Sequence, residues 1–225
     1  MRFLLLLVVL AGLGWLGLRV LPPQWNPRTP LDLRAPPNLL TPLKLAWLSR
    51  DPAACFAAFE NSGITAIRVP DRPSEVGCAV ESAVRLPGPV AANPAAPTVT
   101  CRVAAAWVLW ERHGLQPAAR RHMGSEVVSV RHLGTWNCRN VNHAASGRRS
   151  EHATANAIDI AGFRLADGRE VTLLRGWTGP PEQAAFLRAA RDGACRSFSV
   201  VLGPDRDAAH RDHFHLDMGT WRACR

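Results

Sequence analysis

The sequence predicts an α+β domain in which N-terminal helices pack on a mostly antiparallel sheet. Three observations lead there. Helix signals crowd the stretch from Asp51 to Gly114. β-Branched and alternating segments crowd the stretch from Glu126 to Asp217. Helices that precede strands, with no regular βαβ alternation, fold as segregated layers.

The chain begins with an apolar run. Residues Phe3 to Leu18 are all apolar or glycine, bracketed by Arg2 and Arg19. A spanning helix needs about 20 residues, and a terminal arginine reaches back to the interface. Leu18-Arg19-Val20-Leu21 lacks the small-x-small pattern of a cleavage site. Residues 1–21 therefore read as a signal anchor. It forms a single-pass transmembrane helix in the inner (cytoplasmic) membrane, with the rest of the chain facing the periplasm or cell exterior. A cleaved signal, the other reading, exports the chain as well. Residues 22–42 contain seven prolines and read as an extended, semi-rigid tether. Residues 43–225 are the size of one domain.

Within that domain Asp51-Pro52 is an N-cap followed by proline at the first helical position, and the helix should stop before Gly63. Pro70 to Pro97 reads as linking sequence. A second helix fits Cys101 to His113, with Val103, Trp107 and Trp110 as its core stripe and Gly114 as its end. Strands are expected over residues 126–131, 157–160, 163–165, 170–174, 198–202 and 213–217. The pair flanking Asp167-Gly168 carries a hairpin signal. A third helix fits residues 180–192.

Hydrophobic residues make up 47% of the chain, enough for a core, and the formal net charge is +9. Lys44 is the only lysine. The arginine excess reads either as compositional bias or as a surface for anionic lipid or an acidic polymer. No dense basic run with interleaved aromatics occurs, so nucleic-acid binding is not expected. The six cysteines form no CxxC pair. Behind an export signal they read as three disulfides, in place of buried thiols. Sequence order suggests Cys55–Cys78, Cys101–Cys138 and Cys195–Cys224.

Four of the eight histidines lie in two short stretches, 150–159 and 210–217. Zinc takes imidazole and carboxylate ligands, and a catalytic site uses three of them with one position open. His152, Asp159 and His215 would make such a set. Asp159 lies between Ile158 and Ile160, where a carboxylate is costly unless compensated. Side chains alternate along a strand, so His213 shares a side with His215. It is the expected general base or stabiliser of the tetrahedral intermediate. Asp212 faces away on a regular strand and is the runner-up base. His210 reads as a solvated loop residue or as a group that orients a ligand.

Ser150-x-His152-x₆-Asp159 followed by His213-x-His215 resembles the zinc peptidases that include D-Ala-D-Ala carboxypeptidases and the penicillin-insensitive murein endopeptidase. More closely, residues from about Leu45 to Cys224 resemble the bacterial extensin-like C-terminal domain family. The segments that carry this are Gly77-Cys78, Ser150 to Ala153, Asn156 to Asp159, Val201 to Pro204 and Ala209 to Asp217. The resemblance implies a D-Ala-D-Ala metallopeptidase-like fold, Zn²⁺ on His152, Asp159 and His215, and His213 as base. It implies hydrolysis of amide bonds in peptidoglycan peptides, by an endopeptidase or a carboxypeptidase. Arg139 is similarly placed to a peptidase arginine that contacts substrate. Ser150 either binds substrate or shapes the loop. The peptidase pattern often has glycine where this chain has Ala155, which bears on substrate choice. The alternative is a non-catalytic zinc-containing module that binds the cell wall. Oligomeric state is left open.

Overall fold

The computed structural model describes residues 2–225. Helix α1 (Arg2–Val20) covers the apolar N-terminal run. Among the described residues no helix is long and apolar enough to cross a membrane. The Pro-rich stretch that follows is partly built into the domain. Leu31 and Leu33 are buried in the core, and the Leu33 N–H donates to Ser62 Oγ at 2.8 Å.

Helix α2 (Thr41–Leu48) leads into α3 (Pro52–Asn61). The Asp51 side chain accepts from the Ala54 N–H, so the predicted cap is real. The segment expected as linker instead holds β2 (Ala83–Arg85) and β3 (Ala91–Asn93), and is flanked by β1 (Arg68–Val69) and β4 (Thr98–Thr100). β1, β2 and β4 form a small antiparallel sheet. Its strands are two or three residues long, too short to show a period-two pattern.

The Thr100 hydroxyl caps α4 (Cys101–Trp110) by accepting from the Val103 N–H. Gly114 does not end this helix. The chain continues through a π-helical turn (Glu111–Leu115) into α5 (Gln116–Met123), which closes at left-handed Gly124. Pro117 has no N–H to donate, and the wide turn just before it accommodates that loss. Gly114 serves packing instead. A Cβ there would lie 3.0 Å from Gly193 Cα and 2.7 Å from Trp110 Cδ1.

The main sheet is built from β5 (Val127–Gly134), β6 (Ala157–Leu165), β7 (Glu170–Thr172), β8 (Val200–Leu202), β9 (Phe214–Asp217) and β10 (Ala223–Cys224), together with β3. A short helix α6 (Leu173–Gly176) and the longer α7 (Pro181–Ala194) lie between β7 and β8. The predicted hairpin exists, with β7 paired to β6 across a turn in which Gly168 holds φ +89. The two strands expected at 157–160 and 163–165 are one strand, β6. The order is β10-β8-β9-β6-β5-β3, with β7 also on β6.

This sheet is mixed, where a mostly antiparallel one was expected: four of its strand pairings are antiparallel and two are parallel. β3 pairs parallel with β5, and β10 pairs parallel with β8. Parallel neighbours need a long crossover, and the helical segment from α4 to α5 supplies it for β3 and β5. The fold is therefore α+β with mixed sheets.

Three disulfides join Cys55 to Cys101, Cys78 to Cys138 and Cys195 to Cys224. Only the last agrees with pairing by sequence order. The small sheet returns the chain to α3 before α4 begins, so Cys101 meets Cys55 there at a Cα separation of 6.2 Å. Cys78 is left to clasp the loop at Cys138, 5.6 Å away. Both separations suit a bridge.

Candidate metal centre

β6 and β9 pair antiparallel with Asp159 directly opposite His215. Their neighbours Ile158, Ile160, Phe214 and Leu216 are fully buried in the core. Alternation therefore sends the apolar residues to one face and Asp159 and His215 to the other.

His152 arrives from a 3-10 turn (Glu151–Thr154) that precedes β6. Ser150 caps that turn, with its hydroxyl accepting from the His152 N–H at 3.3 Å. Ser150 thus shapes the ligand loop, while its residue also borders the cavity described below. The turn closes at Ala155 in the left-handed region, φ +54. Glycine suits that conformation better.

The three groups converge. His152 Nε2 lies 3.2 Å from Asp159 Oδ1 and 3.1 Å from His215 Nδ1, and His215 Nδ1 lies 3.0 Å from Asp159 Oδ1. One ligand atom from each residue falls within 4.8 Å of the others.

The outer nitrogens are already committed. His152 Nδ1 is 3.3 Å from the Thr135 carbonyl, and His215 Nε2 is 2.9 Å from Asp217 Oδ2. Asp217 is itself held by the Gly219 N–H at 2.8 Å. A carbonyl and a carboxylate accept only, so each outer nitrogen carries the hydrogen. With both rings neutral, the inner nitrogens turn lone pairs toward each other and toward a carboxylate, an arrangement that either a bound cation or an added proton relieves. Two imidazoles and a carboxylate, each oriented by a partner behind it, fit zinc.

Protonation follows the same geometry when no metal is bound. Burial opposes charge on Asp159, but hydrogen bonds from His152 and His215 outweigh it and hold the carboxyl well below its ordinary value. Burial also opposes charge on His215. Asp159 and Asp217 overcome it and push the imidazole up to about 9.

His213 immediately precedes β9. Its Nε2 points at the centre, 3.8 Å from Asp159 Oδ1, and its Nδ1 lies 2.9 Å from Asp212 Oδ1. It shares a side with His215, as alternation predicts. Asp212 sits behind His213 and not at the centre. The hydrogen bond from His213 holds the Asp212 carboxyl below its usual value.

Beside the centre is a cavity of about 620 Å³. Arg139, Ser150, Arg206, His210, His215 and Trp221 are among the residues that line it. Arg139 is among the lining residues, and its buried Nε has no hydrogen-bond partner. His210 is drawn to the site rather than left in a solvated loop. Its ring lies 5.4 Å from His213 and 6.1 Å from His215, and Asp207 anchors its Nδ1 at 2.7 Å. Sequence reasoning missed Thr135, whose contribution is a backbone carbonyl and leaves no residue-type signal. It also left Asp217 without a role, although its spacing two residues after His215 places both on one strand face.

No curated protein and no solved structure matches the chain. Residues 53–225 match the family model described as "Extensin-like protein C-terminus". That span contains every cysteine, His152, Asp159, the His213/His215 pair and the residues that orient them. The chain belongs to the extensin-like C-terminal family.

Proposed function

We propose that this protein is a zinc-dependent hydrolase of amide bonds in peptidoglycan peptides, with His152, Asp159 and His215 as metal ligands. The observation that carries the reading is the convergence of those three groups with their outer hydrogen bonds already made. When bound, zinc supplies Lewis-acid chemistry toward water and an amide carbonyl.

The chain's own residues do the rest. His213 Nε2 faces the centre and takes a proton from attacking water, while Asp212 holds Nδ1–H and fixes the tautomer. Asp217 keeps His215 Nδ1 free to ligate. Arg139, at the cavity wall, offers a cation to a substrate carboxylate or to the reacting carbonyl. The peptide substrate class rests on the likeness of the Ser150-x-His152-x₆-Asp159 and His213-x-His215 pattern to the murein-directed zinc peptidases. Three disulfides support an oxidising, exported location, where peptidoglycan is found.

The test is elemental analysis of native protein followed by digestion of purified muropeptides with and without a chelator. Zinc near one equivalent and chelator-sensitive amide cleavage are expected. Metal-free native protein, or cleavage indifferent to chelator, refutes the proposal. The cavity's arginines favour a second reading, a zinc-containing module that binds the anionic wall without cutting it. Under that reading His213→Ala leaves wall binding and biological activity unchanged.

A further inference from the structure

A second cavity, about 340 Å³, lies between α2, the start of α4, the segment between α7 and β8, and the segment between β9 and β10. Four arginines line it: Arg50, Arg102, Arg196 and Arg222. Among the described residues no carboxylate does. Like charges around one hollow repel each other, and the carboxylates that offset Arg102, Glu151 and Asp217, are not among the residues that line it.

A separate observation points the same way. Ser197, only 4% exposed, lines this cavity, and its hydroxyl has no hydrogen-bond partner. The buried Nε of Arg102 also has none. Buried donors in folded proteins are nearly always satisfied. Two orphans on the walls of one cationic hollow mark the place of a missing acceptor.

We propose that this cavity is an oxyanion-binding site, separate from the metal centre, in which Arg102 and Ser197 donate to a carboxylate or phosphate group and Arg196 and Arg222 neutralise it. Guanidinium groups match both anions through paired N–H donors. Gly219 and Arg222 line this hollow and the cavity at the metal centre alike. The two sites are therefore neighbours, and one extended anionic molecule is able to reach both. The inference does not depend on hydrolysis at the metal.

The test is calorimetric titration of the full chain with inorganic phosphate and, separately, with glutarate, both in chelator so that neither binds through a metal. One saturable site is expected for at least one of them, and the tighter ligand identifies phosphate or carboxylate as the group recognised. Arg102→Gln should weaken it roughly tenfold or more, the loss of a charge-assisted donor. Ser197→Ala, which removes only an unpartnered hydroxyl, should weaken it by a smaller factor with an unchanged melting curve. If Arg102→Gln does not fold, Ser197→Ala and Arg196→Gln decide the matter. Absence of saturable binding overturns the proposal. So does affinity unchanged in the folded variants, or binding that His152→Ala abolishes while the folded cavity variants do not alter it.

Discussion

Two regions of this molecule solve burial in opposite ways. Around Trp110 the helices close on themselves. Trp110 meets Trp107, Phe163 and Phe198 edge-on, and Phe163 meets Phe186 in the same manner. Its one polar atom, Nε1, donates to the Ala190 carbonyl at 2.8 Å. Trp107 Nε1 is buried there without a hydrogen-bond partner, and the phenylalanines of the cluster carry no polar side-chain atom. On the far face of β6 and β9, His152, Asp159 and His215 crowd their polar atoms to within hydrogen-bond distance. The same strands supply Ile158, Ile160, Phe214 and Leu216 to the core. The apolar face stabilises the fold, and the polar face is held in place at some expense by it.

The sharpest way to break this comparison is to empty each region in turn. Trp110→Ala removes a fully buried indole and should cost about 3–5 kcal/mol in denaturant unfolding, with its metal content unchanged while folded. His152→Ala should abolish metal binding and hydrolysis, yet in chelator leave unfolding much closer to wild type than Trp110→Ala does. If His152→Ala in chelator proved as destabilising as Trp110→Ala, the site would be part of the structural core and the division would fail.

The disulfides divide along the same line. Each is expected to contribute roughly 2–4 kcal/mol. Cys138 is special because it follows Asn137, whose N–H donates to the His152 carbonyl at 3.0 Å. Replacing Cys78 and Cys138 by serine should weaken zinc affinity as well as stability. Replacing Cys195 and Cys224 should lower stability only. Competitive chelation against a metal indicator separates the two outcomes.

How much of this was legible before folding follows from the range of each signal. Asp51-Pro52, the hairpin at Gly168 and the two ligand stretches announce themselves within ten residues, because caps, turns and strand alternation are local. The small sheet of β1, β2 and β4 was hidden by short strands inside Pro-rich sequence. Gly114 looked like a helix end because a glycine's local effect is to break helices. Its actual partner, Gly193, is known only once α7 packs against it. The pairing of Cys55 with Cys101 and the partnership of His152 with the Thr135 carbonyl are equally products of tertiary contact.

Acidity sharpens the contrast further, since Asp159 and His215, two groups held far from their ordinary values, both lie on the metal face. In metal-free protein the depressed Asp159 contributes stability that is present above its unfolded value, about 4, and is lost as pH falls through the acid range. The raised His215 contributes stability that is complete below its unfolded value, about 6.5, and is lost as pH rises toward 9. In chelator the melting temperature should therefore peak between those limits and decline from about pH 6.5 upward. Zinc competes with protons for the same atoms, so its stabilisation should grow over that interval. Thermal melts across pH, with and without zinc, check both slopes.

The finest division lies within the metal face itself, between two carboxylates five residues apart that each hold a histidine. Asp217 supports His215 at 2.9 Å, and Asp212 supports His213 at 2.9 Å. If His215 is a ligand and His213 a base, the same substitution should have different consequences at the two positions. Asp217→Asn should weaken zinc binding by roughly 10–100-fold, the usual effect of removing a ligand's supporting carboxylate. Asp212→Asn should leave zinc affinity unchanged and lower kcat, with a shift in its pH profile, because the proton-accepting tautomer of His213 is no longer enforced. Asp212 is exposed enough for water to replace part of its role, so its effect should be the smaller of the two. Equal losses of zinc affinity in both variants would show that His213 is itself a ligand. The base would then have to be sought among the remaining groups at the cavity wall, with His210 the first to test.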